Sequence, residues 1–195
     1  MLKKMFYAAA VLAFTVSLAL PQGKGGGGKG APKGPGMALT SPDIQDGGII
    51  DDKYTQAVPM PISPKLEWTN VPMATESFVL IMHDPDNALN KGTDDVLHWL
   101  VFNIPGTARS LAGSMSADPT LPDGTIQAKS LRGTPGYMGP GNAAINPYHH
   151  YTWELYALDA KLMLGPDATR ADVMKAMEGH TVGKAVLSAR FKRSQ

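Results

Sequence analysis

Five of the 195 residues are histidines and none is cysteine, so any chemistry in this chain rests on imidazoles, carboxylates and hydroxyls. His98 stands out because it lies near the start of the largely apolar run Leu97 to Ile104. A histidine there is either buried with a hydrogen-bond partner or opens onto a cavity. Strand alternation places it on one face with Leu100 and Phe102. His149 and His150 precede a second apolar segment, Tyr151 to Asp159. A period of two sends adjacent side chains to opposite faces, grouping His149 with Tyr151 and His150 with Thr152 and Glu154. Asp84-Pro85-Asp86 sets two carboxylates around a rigid proline, just after the apolar run Ser77 to His83. Alone that triplet is turn chemistry. Beside histidines it suggests a site, since a carboxylate orients an imidazole and favours its protonated form, a cationic donor for phosphate or carboxylate groups.

The remaining histidines read as structural. His83 ends an apolar strand, and His180 follows the helix stop at Gly179, where a cation suits the helix dipole. The Asp/His group could also ligate zinc or iron, yet no H-E-x-x-H spacing is present. Asp84-x-Asp86 fails as a calcium loop because Ala88 stands where a third oxygen belongs. Gly23 to Lys29 imitates a phosphate-binding loop, but Gly30 replaces the Ser/Thr and no buried strand precedes it, which marks it as low complexity. Without cysteine or a Gly-x-Ser-x-Gly elbow, nucleophilic catalysis has no visible carrier.

The elements that must position these residues are short apolar runs separated by Pro/Gly turns such as Ser63-Pro64 and Pro122-Asp123-Gly124. Ser77 to His83 and Leu97 to Ile104 have the near-continuous apolar character of central strands buried on both faces. Tyr151 to Asp159 and the alternating Lys184 to Lys192 are two further strands. Thr169-x-x-Asp172 ahead of Val173, Met174, Ala176 and Met177 is a capping-box helix start, with Gly179 as its stop. The class is mainly β with a late helix packed on one side of the sheet.

Length and composition fit one globular domain. The first 36 residues hold five lysines and no acid, so residues 37–195 keep 13 of the 18 basic side chains against all 17 acidic ones, about −4. A fold of that charge without a Lys/Arg cluster does not suit a nucleic-acid backbone. Lys3-Lys4, the apolar run Met5 to Leu18 and Ser17-Leu18-Ala19 have the three parts of a secretory signal peptide, 1–19. Residues 20–36, rich in Gly, Lys and Pro, read as a flexible linker. The fold therefore occupies 37–195, and the expected location is secreted or periplasmic.

Six segments then fall in one order: Ser63-Pro-Lys-Leu-Glu-Trp68, Asp84-Pro-Asp86, His98-Trp99 with Asn103-Ile-Pro105, Gly136-Tyr-Met-Gly-Pro140, His149-His-Tyr151 and Tyr156-Ala-Leu-Asp159. From about Ser41 to Arg193 the series resembles the phosphatidylethanolamine-binding protein family, in particular its bacterial Raf kinase inhibitor-like branch. The resemblance implies a central antiparallel β-sheet, a second smaller sheet and peripheral helices, including one near the C-terminus. It implies a pocket lined by Asp84, Asp86, His98, His149 and Tyr151, with Gly139-Pro140 shaping its rim. It also implies non-catalytic binding of a small anion or phospholipid head group, without a cofactor. The alternatives are a regulatory module acting on an exported protein partner, as kinase-inhibiting relatives do, and a metal-dependent or acid–base hydrolase using Asp84 and His149. Three departures fall around the rim. Asn87-Ala88 stands where relatives often have Ala-Pro, His150 where they commonly have Arg, and Thr55 to Ile62 lacks their polar Cys-Asp-Gly-Glu-like stretch.

Overall fold

The computed structural model describes residues 35–194. The predicted signal peptide, 1–19, and all but the last two residues of the predicted linker, 20–36, lie outside the described residues. In chain order the elements are β1 (Ala38–Thr40), β2 (Leu66–Thr69), β3 (Ser77–Asp84), β4 (Val96–Pro105), β5 (Ser110–Leu111), β6 (Ile126–Ala128), β7 (His149–Leu158), α1 (Arg170–Ala176) and β8 (Thr181–Phe191). They build a five-stranded sheet, order β6-β4-β3-β7-β8, and a three-stranded sheet, order β1-β2-β5. Every strand pairing is antiparallel. The four strands expected from the apolar runs are β3, β4, β7 and β8, and the smaller sheet is the one the family resemblance implies.

Central β3 shows why its sequence is apolar without alternation. Phe78, Leu80 and Met82 pack into a core shared with Leu39, Leu66, Trp68 and Leu111 of the small sheet. Val79 and Ile81, on the opposite face, pack with Leu162, Val173 and Met177. Both faces of the strand are therefore covered, one by a sheet and the other by α1 and the segment before it. The helix begins as its sequence predicts: the Thr169 side chain accepts from the Asp172 N–H, and Asp172 returns the bond to the Thr169 N–H. Gly179, at φ 81°, supplies the left-handed residue that ends the segment.

β4 carries two irregularities against β3, between Phe78 and Leu80 and between Met82 and His83. At the first, Asn103 adopts φ 56°, and its amide exchanges hydrogen bonds of 2.9 and 2.8 Å with the backbone of Leu162. At the second, Met82 pairs with Trp99 and His83 with Leu97, leaving His98 as the extra residue. This bulge corrects the expected face. Leu100 and Phe102 belong to the core under α1, whereas His98 packs its ring edge-on against Tyr151 of the inter-sheet core, centroids 5.2 Å apart. An inserted residue re-aims a strand side chain in this way.

Leu80 has no exposed surface and lies at the centre of the inter-sheet core. Replacing it by alanine should cost about 2–5 kcal/mol, read as a lowered midpoint with an unchanged slope in urea denaturation.

Candidate functional site

The antiparallel order brings the end of β3 beside the starts of β4 and β7. Asp84 pairs with Val96 on one side, and His83 pairs with Thr152 on the other. Three segments separated in sequence thus converge at one end of the sheet, around a cavity of about 470 Å³ whose walls include Asp84, His98, His149 and Tyr151. Its volume is in the range of small-molecule sites.

Asp84 is 1% exposed and is held by three donors. The Asp86 N–H reaches Oδ1 at 3.0 Å, while Asn87 Nδ2 and His149 Nδ1 reach Oδ2 at 2.7 and 2.9 Å. Since a carboxylate only accepts, the His149 proton on this side is on Nδ1, which leaves Nε2 without a partner among the described residues. Asn87, the residue in place of the family's alanine, ties the loop that the second proline would have stiffened.

His98 repeats the arrangement with a different acceptor. Its Nδ1 donates to the Met138 carbonyl at 2.8 Å, so Nε2 is again the free nitrogen. Burial pushes its pKa below the ordinary imidazole value, against the opposing pull of the Met138 carbonyl, the Asp84 charge and the Gly139 carbonyl. The expected cationic imidazole is therefore not the resting state of His98, which is neutral at pH 7 and presents a bare Nε2. Tyr151 is 1% exposed. Burial, reinforced by the Asp84 charge, pushes its phenol far up, so it stays protonated beside the N–H groups of Gly141 and Asn142.

The other named residues stand behind or beside the cavity. Asp86 turns to the outer side of β7, accepting from the His150 N–H at 2.5 Å and from His150 Nδ1 at 3.0 Å. Partial burial pushes its carboxyl up, but the backbone and ring bonds from His150 outweigh this and hold it below the usual value. His149 and His150 thus lie on opposite faces, as alternation predicts. Gly139 and Pro140 back the wall: the Gln56 amide donates to the Gly139 carbonyl and the Gln56 N–H to that of Pro140, each at 2.7 Å. A Cβ on Gly139 would stand 2.8 Å from the Tyr54 carbonyl oxygen. His83 bonds Asp95, which also pairs with Arg170, and His180 bonds Asp159, matching their structural reading.

Sequence reasoning missed Gln56, Asn87, Arg132, Asn142 and Asn146 in the cavity wall. Asn87 and Gln56 left a signal, each lying in a departure from the family pattern, and Arg132, Asn142 and Asn146 left none. Arg132 supplies a permanent cation whose charge reaches His98, from a loop far in sequence from the position where relatives carry arginine. Among the described residues no group of three or more His, Asp or Glu has the geometry to hold a metal ion.

Compared with known families, residues 40–192 match the model described as "Phosphatidylethanolamine-binding protein". The chain belongs to the phosphatidylethanolamine-binding protein family. It is 39% identical over 157 residues to a UPF0098 protein of Methanothermobacter thermautotrophicus, covering 80% of this chain and 99% of that one. It is 31% identical over 161 residues to the Escherichia coli UPF0098 protein YbhB, again covering 80% and 99%. Among solved structures it is similar to CT736 of Chlamydia trachomatis, described as a phosphatidylethanolamine-binding protein homolog, with TM-score 0.70, 29% identity and coverage of 82% and 99%. E. coli YbcL, described as a member of the mammalian family, gives TM-score 0.71 and 26% identity over 82% and 100%. Members of the phosphatidylethanolamine-binding protein family are in general non-catalytic binding proteins.

The depressed His98 pKa has a consequence for stability. The unfolded chain holds this proton more firmly than the fold, so stability is full above the ordinary imidazole value of about 6.5 and falls as pH drops through that value toward the lower folded one. Melting temperatures measured from pH 7.5 down to about 5 should decline. A His98→Gln chain should decline less steeply, and equal slopes would contradict the assignment.

Proposed function

We propose that the cavity binds a small oxyanion, a phosphate-like group that is either free or carried on a lipid head, and that binding draws a proton onto His98. One observation carries this reading: two imidazoles have their Nδ1 protons fixed backwards, to Met138 and to Asp84, leaving both Nε2 atoms as ring nitrogens of one cavity with no partner among the described residues. Protonated there, each becomes an N–H donor that cannot rotate away. Arg132 adds a fixed positive charge, and the Tyr151 hydroxyl stays a neutral phenol. Asp84 does not repel the ligand as a bare carboxylate would, because three donors already surround it. The same saturation argues for binding over hydrolysis, since a carboxylate so engaged is poorly placed as a general base.

The signal-peptide pattern of residues 1–19 supports an exported protein, so the ligand would be met outside the cytoplasm. That location disfavours a cytosolic kinase as partner.

Calorimetry with sulfate, which does not titrate near neutrality, tests the reading. Affinity should rise as pH falls below about 7, by up to about tenfold per pH unit for each proton taken up. Each charge-assisted bond is worth about 1.5–3 kcal/mol, so a folded His98→Ala, His149→Ala chain should lose at least about 100-fold. Unchanged binding by that chain, or affinity that falls on acidification, would reject the proposal.

A further inference from the structure

The loop from Asn142 to Tyr148 has two sides. Asn142, Ala143 and Asn146 face the anion cavity, while Ala144 and Tyr148 line a second, smaller hollow with Ile49 and Lys192. Between them, Ile145 projects with 90% of its surface exposed, and Ile49 and Tyr148 are 55% and 41% exposed. The loop is braced rather than loose. Asn142 Nδ2 donates to the Pro147 carbonyl at 2.7 Å, Asn146 Nδ2 to Asn142 Oδ1 at 2.8 Å and the Asn146 N–H to the Ala143 carbonyl at 3.1 Å. Ile145 stands three residues before Tyr148 on this braced loop, and Tyr148 borders one hollow with Ile49, so three exposed apolar or aromatic side chains are grouped here rather than scattered singly.

The flank of this ridge is basic. The guanidinium carbon of Arg190 lies 5.9 Å, and Lys192 Nζ 4.9 Å, from the centre of the Tyr148 ring. Arg193 spans the two hollows, donating its N–H to the Asn142 carbonyl and a guanidinium hydrogen to the Gln56 carbonyl. Among the described residues no carboxylate lies within ion-pair distance of Arg190, Lys192 or Arg193. Asp52 is the one acid on the wall of the smaller hollow, and Asp86 nearby is already paired to His150. A domain of about −4 overall thus carries a local positive edge at the mouth of its cavity. Apolar tip, aromatic ring and unpaired cations together are the composition that seats a protein at an anionic bilayer surface, with the ring at head-group depth and the cations on lipid phosphates.

We infer that the Ile145/Tyr148 ridge with Arg190, Lys192 and Arg193 docks this protein on an anionic phospholipid surface, setting the cavity mouth against the head groups. What the cavity takes up there rests on the oxyanion reading above; the docking itself does not.

The native tryptophans, Trp68, Trp99 and Trp153, are at most 2% exposed, so a single indole placed at the ridge can be read by difference. In the full chain, Ile145→Trp emission should shift to the blue, and be quenched by brominated lipid, on phosphatidylcholine/phosphatidylglycerol vesicles. It should not do so on phosphatidylcholine alone. Adding Arg190→Gln and Lys192→Gln should weaken that response on the order of 25-fold, about fivefold for each cation near the surface. An indole that stays at its aqueous emission while the chain sediments with anionic vesicles would overturn the inference, because the lysine-rich N-terminal segment would then be the attachment. An equal shift on neutral vesicles would overturn it too. Sulfate calorimetry on the same chain separates the two ideas: binding without a blue shift removes the docking and keeps the cavity, and a blue shift without sulfate binding does the reverse.

Discussion

A single carboxylate, that of Asp84, ties together the end of one strand, the loop that leaves it and the start of another. It is 1% exposed and accepts from the Asp86 N–H, the Asn87 amide and the His149 ring. A charged group so buried is tolerable only when its lone pairs are engaged. That requirement makes the surrounding geometry mutually dependent. The Asp-Pro-Asp turn must fold back for its N–H to reach Oδ1, Asn87 must turn inward, and β7 must begin in the register that sets His149 opposite. Removing any one donor leaves part of a buried charge unpaired, which is why the cavity floor should be stiffer than its walls.

The bulge at His98 is the second constraint, and it works through the first. In an unbroken β4 this ring would lie on the face of Leu100 and Phe102, in the dry core under α1. One extra residue turns it to the inner face, where the Met138 carbonyl takes its Nδ1 proton and Tyr151 meets its edge. Two imidazoles from different strands therefore present the same nitrogen to the same space. Burial favours the neutral form of His98, against the opposing pull of the Met138 carbonyl and the Asp84 charge.

These constraints explain what could be read from the sequence. Strands β3 and β4 were legible because burial on both faces demands long apolar runs, β7 by its apolar segment from Tyr151, β8 by the alternation of its buried and exposed positions, and α1 because Thr169 and Asp172 have little reason to stand three apart except as a cap. The opposite facing of His149 and His150 followed from the period of two. The bulge was not legible, since Leu97-His98-Trp99 has the composition of an uninterrupted strand and an inserted residue changes geometry without changing residue type. Arg132, Gln56 and Asn142 come from loops, where no periodicity reports direction and only the folded chain shows which side chains reach the cavity. Asp86 was grouped with Asp84 by proximity in the sequence, but the proline turn between them sends the two carboxylates to different sides of β7.

That separation gives the site two Asp–His pairs of like chemistry in unlike surroundings. Asp84 and His149 have side chains 2% and 12% exposed, whereas Asp86 and His150 are 39% and 55% exposed. An exposed pair of this kind contributes at most about 1 kcal/mol and is screened by salt, so the outer pair does little to hold the fold. Its effect is on position: the bond from the His150 N–H to Asp86 fastens the outer side of β7 at the residue next to the inner ring. With His150 engaged outward, the permanent positive charge within the cavity lining, among the described residues, is that of Arg132. The inner pair orients a donor, the outer pair fixes the strand that carries it, and Arg132 sets a permanent charge in the cavity wall from a third loop.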